Sequence, residues 1–472
     1  MTELLFDGDA SGLGVIRFAT VETAAAQSGL TAAEFSGETG STALSGLPAA
    51  QTLWTGIGAG TSIGPNSLRL ASAYAGRRLA EAGKRVVAID CGPWSDFAGE
   101  IVEGAILGAY HFNRFKTKDR PETGLKALCL NGLDDVMKAR ARDGAKIANA
   151  VNRARDLGNM PPNLFKPEDV AEAAETYVRL TGASLTILNE FELAEQGFGG
   201  IVAVGSGSAN LPRLIILKRM VDPAWPTVAL AGKTVTFDSG GLSIKSAKDL
   251  YEEKWDKCGG MAVFGILECV TALGIPVNVV AALPAVENLP GPAAMRPGDV
   301  ITMKGGKTVE ITDTDAEGRI ILADTLAWLA ETFSPDLTID IATLTGACVV
   351  ALGQETSGLF TDDDELAAVF TEAGAASGDA CWRLPLGPEY ARDLKSGIAD
   401  IRNAGSSRWG GAGKAAEFLK AFKGDGRWVH LDIAGTGMPD EDLGHMERGA
   451  TGAGIRLTAE ALKRLFPTGA AR

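Results

Sequence analysis

From residue 184 onward the chain alternates short apolar runs with helical patterns, and this rhythm restricts the fold more than any other feature. Strand-like runs occupy Leu185 to Leu188, Leu214 to Lys218, Thr227 to Leu230, Val277 to Leu283 and Leu337 to Thr343. Helical periodicity covers about 168–181, 258–273 and 317–332, the first opened by Pro167. Parallel strands need long crossovers, which helices supply, so the alternation predicts an α/β fold with a mostly parallel central sheet flanked by helices. Ligands of such sheets bind beyond the carboxyl ends of the strands. The 472 residues exceed one ordinary domain. Residues 1–150 read as a small N-terminal α/β domain: a helix within Ala59 to Ala82, a strand at Arg85 to Asp90 and a helix over 99–110. A charged helical segment over 134–158 runs into Gly158-Asn-Met-Pro-Pro-Asn163, which must break it, and residues 151–472 form the larger domain. Thr468 to Arg472 reads as a frayed tail.

Charge and composition exclude several functions. The net charge of −14 argues against general binding to nucleic acid or anionic membrane, which needs clustered Lys and Arg. The apolar run around Ile339 to Leu352 is broken by Asp340, Thr343, Thr345 and Gly346 and is too short to span a bilayer. No basic, apolar leader is visible at Met1, and the six Cys include no Cys-x-x-Cys pair, so reduced thiols and a cytoplasmic location are expected. Gly56 to Gly60 lacks both the G-x-G-x-x-G spacing and a following Lys-Ser or Lys-Thr, so it reads as a tight turn rather than a phosphate cradle. With only three His and no His-Glu-x-x-His, any metal must be held by oxygen atoms, helped at most by an amine.

Such oxygens cluster in Ile311 to Ile320, where Asp313, Asp315 and Glu317 fall within five residues and Arg319 follows. Asp315 is a candidate N-cap for the apolar helix after it. Capping does not explain three acids beside apolar flanks, because clustered carboxylates repel one another unless a proton or cation shares the site. A divalent metal is the economical answer. Two further loops carry candidate ligands. One holds Lys233, Asp238 and Lys245 around an Asp-Ser-Gly-Gly turn; the other holds Asp256 just before a helical run.

Together these loops resemble those of the leucyl aminopeptidase family, dizinc or dimanganese exopeptidases of the cytosol. The family signature Asn-Thr-Asp-Ala-Glu-Gly-Arg stands here as Asp313-Thr-Asp-Ala-Glu-Gly-Arg319, and the Gly-Lys-x-x-x-Phe-Asp-Ser-Gly-Gly-x-Ser-Ile-Lys segment runs from Gly232 to Lys245. Asn159 to Asn163, Gly205 to Asn210, Arg296 to Asp299, Ala342 to Ala347 and His430 to Gly435 match similarly, so the likeness covers about residues 100 to 460. The resemblance implies a metal-dependent aminopeptidase that releases Leu and other N-terminal residues through a hydroxide bridging two metals. Its ligands would be Lys233, Asp238, Asp256 and Glu317 at a tight site, and Asp238, Asp315 and Glu317 at an exchangeable one. Lys245 would polarise the peptide carbonyl, Arg319 would hold a bicarbonate that acts as general base, and Thr343, Leu344 and Gly346 would contact substrate. It also implies a homohexamer, with an assembly or regulatory role for residues 1–150 and catalysis in 151–472.

Four positions depart from the family pattern. Asp313 replaces Asn, which predicts an altered surround rather than a lost metal. Glu253 stands where the family often has a pocket Met, Gly437 where a bulky residue is usual, and Lys414 where Thr is usual. A roomier, more acidic pocket for polar or basic N-terminal residues follows if Glu253 faces substrate; alternatively Glu253 turns outward to pair with Lys254 or Lys257. The rival functions are a non-catalytic binding or regulatory protein of the same fold, such as a DNA-binding one, and a nucleotide-binding α/β protein. The −14 charge and the missing P-loop Lys weigh against them.

Overall fold

The computed structural model describes residues 1–7, 13–28, 30–45, 52–58, 63–118 and 124–467. The end of the Gly56 to Gly60 stretch, the first residues of Ala59 to Ala82 and the tail Thr468 to Arg472 lie outside the described residues. The chain divides into two compact units, one of Met1–Arg153 with Glu441–Arg448 and one of Ala154–Asp440 with Gly449–Arg472.

The first unit is built on a six-stranded sheet in the order Glu3–Phe6, Ala127–Leu130, Val86–Asp90, Gly14–Ala19, Thr52–Gly56, Thr42–Ser45. Every pairing is parallel except the last, at the edge. Helices Pro65–Glu81 and Ala98–Gly108 pack against each other through small residues; a Cβ at Gly108 would stand 1.9 Å from the carbonyl oxygen of Ala73. The buried Arg69 side chain meets Glu103 at 3.0 Å along that seam.

The second unit holds a nine-stranded sheet. Eight strands run in the order Cys381–Arg383, Ser357–Phe360, Arg427–Asp432, Leu337–Ala342, Thr227–Gly232, Asn278–Asn288, Arg213–Arg219, Ser184–Leu188, and Thr234–Asp238 also pairs with Asn278–Asn288. The central five, Arg427–Asp432, Leu337–Ala342, Thr227–Gly232, Asn278–Asn288 and Thr234–Asp238, are mutually parallel. Antiparallel pairings occur only toward the two sides of this sheet. The expected strands are all present. Asn278–Asn288 runs well past the expected Leu283, through a proline. Pro284 falls in a gap on one side, where pairing with Thr227–Gly232 ends at Ala282 and pairing with Thr234–Asp238 begins at Ala285, while on the other side it stands opposite Leu214. Helices Pro167–Thr181, Cys258–Ala272 and Gly318–Phe333 pack on the sheet, and the middle of Cys258–Ala272 is buried on every side.

Gly318–Phe333 is anchored at its middle by Asp324, which is fully buried and accepts from the backbone N–H of Ile201 at 2.9 Å and of Lys304 at 2.7 Å. Burial pushes its carboxyl up to about 7, and the backbone donors offset this only in part. Asp324→Ala would strand both N–H groups, each worth roughly 1–3 kcal/mol when buried and unpaired. Urea unfolding is expected to show a loss of about 2–4 kcal/mol; a change under about 0.5 kcal/mol would remove Asp324 as an anchor.

Candidate metal centre

The five central strands deliver their carboxyl ends to one side of the sheet, and the charged residues singled out in the sequence sit there. Thr227–Gly232 ends immediately before Lys233, Thr234–Asp238 ends in Asp238, and Leu337–Ala342 leads into Thr343. Asp256 follows the 3₁₀ turn Glu252–Trp255 ahead of helix Cys258–Ala272, and Glu317 immediately precedes helix Gly318–Phe333.

Lys233, Asp238, Asp256 and Glu317 are all at most 4 % exposed. Lys233 Nζ lies 2.9 Å from Asp256 Oδ1 and 2.8 Å from Glu317 Oε1, and donates to the carbonyl of Thr343 at 2.9 Å. Lys245 Nζ lies 2.9 Å from Asp238 Oδ2, 2.7 Å from Asp315 Oδ1 and 3.5 Å from Glu253 Oε1. Carboxylate oxygens of Asp238, Asp315 and Glu317 fall within 4.8 Å of one another, and so do those of Asp238, Glu253 and Asp256. Two overlapping trios therefore share Asp238.

Like charges packed this closely disfavour ionisation. Burial first, then the neighbouring acids, pushes Asp315 up to about 7. Glu253 is likewise raised to about 7, burial leading and Asp238 adding to it against the pull of Lys245. Burial opposes the charge of Lys233, but Asp256, Glu317 and Asp238 outweigh it and hold the ammonium well above its usual range. Glu317, equally buried, faces both lysines and is lowered. Five carboxylates stand against two lysines, and Asp256 Oδ2 and Glu317 Oε2 are buried with no hydrogen-bond partner among the described residues. Surplus negative charge and orphaned oxygens fit a site for divalent cations, to which Lys233 would offer a nitrogen once neutral.

The backbone around the cage is shaped for close approach. Gly240 adopts φ +85°, and a Cβ there would stand 2.8 Å from Asp315 Oδ1. Asn288, opposite Asp238 in the parallel ladder, donates from Nδ2 to Asp238 Oδ1 at 2.8 Å and to the carbonyl of Thr314 at 2.9 Å, joining two acid loops. Thr343 Oγ1 donates to Asp256 Oδ1 at 2.7 Å. Asp432, at the end of Arg427–Asp432, accepts from the N–H of Leu344 at 3.2 Å and the hydroxyl of Thr345 at 2.7 Å, fixing the loop after Thr343. Asn403 accepts from the N–H of Thr312 at 2.8 Å. Sequence reasoning missed Asn288, Asp432 and Asn403 as supports; only Asp432 lay inside a recognised motif.

Several expectations change. Asp315 is not the N-cap of the following helix: the helix begins at Gly318, Glu317 is the residue before it, and Asp315 turns to Lys245 instead. Glu253 does not turn outward to Lys254 or Lys257 but points to Lys245; Lys254 lies over the rings of Tyr251 and Trp255, and Lys257 donates to the carbonyl of Met160. Asp313 accepts from the N–H of Asp315 at 3.0 Å through Oδ1, a role its carboxylate fills as well as an amide would. Lys414 is buried and paired with Asp393, bonded also to Ser407. His430 is a core residue bonded to Asp340 at 2.6 Å between the rings of Phe360 and Trp428. Arg319 donates to the carbonyl of Asn403 at 2.8 Å, and its Nε is buried without a hydrogen-bond partner among the described residues. Gly346 is exposed at the start of the short helix Gly346–Leu352.

Gly318 tests the cage without touching a charge. A Cβ there would stand 2.5 Å from Lys233 Cε and 2.6 Å from Nζ, so Gly318→Ala should drive the amine off Asp256 and Glu317 while favouring the helix. Calorimetry is expected to show Mn2+ affinity reduced by about tenfold or more with the fold retained. Wild-type affinity would mean that Lys233 has no part in holding a cation.

Comparison with known proteins bears on this centre. A family model described as the cytosol aminopeptidase family, catalytic domain, matches residues 152–459, and one for the N-terminal domain of the same family matches residues 10–119. The chain is 43% identical over 430 residues to a probable cytosol aminopeptidase of Roseiflexus castenholzii, covering 88% of each chain. It is 40% identical over 443 residues to one of Chlorobaculum tepidum, covering 89% of this chain and 87% of the relative. Among solved structures, the bottromycin maturation enzyme BotP in complex with Mn is similar with a TM-score of 0.87 and 33% identity, over 97% of this chain and 100% of that one. A mutant of tomato leucine aminopeptidase is similar with a TM-score of 0.86 and 29% identity, over 98% of this chain and 97% of that one. Both family domains matched in chain order, together with full-length relatives at this identity, mean that the chain belongs to the cytosol aminopeptidase family and is a metal-dependent aminopeptidase, a hydrolase that removes N-terminal residues from peptides.

Proposed function

We propose that the enzyme holds two divalent cations, Zn2+ or Mn2+, and cleaves Leu and other N-terminal residues from peptides. Lys233, Asp238, Asp256 and Glu317 would hold the tighter ion, and Asp238, Asp315 and Glu317 the exchangeable one. The observation that carries the reading is the buried negative surplus, with Asp256 Oδ2 and Glu317 Oε2 unpartnered. When bound, such cations would lower the pKa of a coordinated water toward neutrality and polarise the scissile carbonyl.

The chain's own residues supply the remaining chemistry. Lys245, held between Asp238 and Asp315, would place a fixed positive charge beside the carbonyl oxygen as it becomes an oxyanion. Such preorganised charge is worth roughly 3–4 kcal/mol. Arg319, with a buried and unpartnered Nε, suits a small anion such as bicarbonate, which would act as general base. The loop of Thr343, Leu344 and Gly346 would run along the substrate, its start bound to Lys233 and Asp256 and its middle to Asp432. Peptides are the partners this chemistry requires. The family resemblance further supports a homohexamer in the cytoplasm, assembled with the help of the N-terminal domain of about residues 1–150. No helix among the described residues is long and apolar enough to cross a membrane.

Asp315 is the most exposed of the proposed ligands, so its loss should spare the fold. Asp315→Ala is expected to lower metal-reconstituted hydrolysis of Leu-p-nitroanilide by at least about 100-fold, with an unchanged circular dichroism spectrum. Activity within a few-fold of wild type would contradict the assignment.

A further inference from the structure

Glu253 belongs to neither ligand set above, yet the structure turns it into the cage. The 3₁₀ turn Glu252–Trp255 ends one residue before Asp256, so one short segment aims two carboxylates at the same space. Oxygens of Asp238, Glu253 and Asp256 lie within 4.8 Å of one another, and the Glu253 side chain is only 12 % exposed. Lys245 does not neutralise this group well. Its Nζ stands 3.5 Å from Glu253, against 2.9 Å from Asp238 and 2.7 Å from Asp315. Asp256, the third member, is 2 % exposed and has an Oδ2 with no hydrogen-bond partner. Lys233 pairs with Asp256 and Lys245 with Asp238, each at 2.9 Å, so both ammonium groups are already engaged while Glu253 has only the 3.5 Å contact and Asp256 Oδ2 has none, a shortfall of positive charge that a further cation would make up.

We propose that Glu253 is a direct ligand of the divalent cation bound by Asp238 and Asp256, and that this extra carboxylate biases the tighter site toward Mn2+ over Zn2+. The inference rests on the two-cation reading above. Its physical basis is ligand number and hardness. Zn2+ is satisfied by four ligands and accepts nitrogen readily, whereas Mn2+ prefers a higher coordination number rich in carboxylate and water oxygens.

The test is chelator-competition calorimetry of Mn2+ and Zn2+ binding to the full chain as wild type, Glu253→Gln, Glu253→Met and Asp238→Asn, with Mn2+ paramagnetic resonance spectra of the first ion bound. Both Glu253 variants should bind the first Mn2+ about tenfold or more weakly. Zn2+ should lose less, so the Mn2+/Zn2+ affinity ratio falls, and the spectrum of the bound Mn2+ should change. If Glu253→Met does not fold, Glu253→Gln carries the test alone. Unchanged Mn2+ affinity and spectrum in the folded Glu253 variants, with binding lost in Asp238→Asn, would overturn the ligand role and leave the centre intact. An altered ranking of Leu- and Lys-anilide turnover at unchanged metal affinity would likewise overturn it and assign Glu253 to the substrate pocket. Binding unaffected in Asp238→Asn would instead sink the two-cation reading itself.

Discussion

Repulsion among buried carboxylates is the constraint that the catalytic unit is built to withstand. Asp238, Asp256 and Glu317 are almost wholly inaccessible, and Glu253 and Asp315 crowd them. Such a cluster contributes nothing to folding by itself, because desolvating charges costs more than imperfect pairing returns. The surrounding scaffold must hold it. Five parallel strands with fully buried apolar residues, such as Leu230, Val280, Leu283 and Ile341, bring the acid-bearing loops to one edge. Lys233 and Lys245 then partly balance the charge, each spanning carboxylates from different loops.

Precision comes from neutral and anionic supports one step behind the lysines. Asn288 ties the Asp238 turn to the Thr314 backbone, Thr343 orients Asp256, and Asp432 fastens the loop that carries Thr343 and Leu344. Each of the three sits at or just after the carboxyl end of a central strand. The ladder that forms the core thus also sets the spacing of the site, since a one-residue slip in a strand would reverse every side chain on it.

Much of this was legible in the chain. The alternation of strand and helix revealed the parallel sheet, because buried parallel strands are continuous apolar runs. The acid cluster after Ile311 was conspicuous because its apolar flanks rule out an ordinary solvated surface. What escaped notice had weaker local signals. Asn278–Asn288 looked shorter than it is because Pro284-Ala-Val-Glu-Asn288 mimics a turn. Thr234–Asp238 is a five-residue strand whose polar alternation looks like loop. Asn288 and Asn403 are single amides whose value depends on tertiary neighbours far away in sequence. The direction of Glu253 stayed open between an inward and an outward turn, since Lys254 and Lys257 offered closer partners along the chain.

The central claim is that these converging loops enclose a pair of cations, and anomalous diffraction from crystals grown with Mn2+ tests it most directly. Two separate Mn peaks should appear inside the cage, one in contact with Asp256 and with a Lys233 amine released from its ion pairs, the other in contact with Asp315, and both shared by Asp238 and Glu317. A single peak, or none, with Lys233 still paired to Glu317 as at 2.8 Å here, would contradict it.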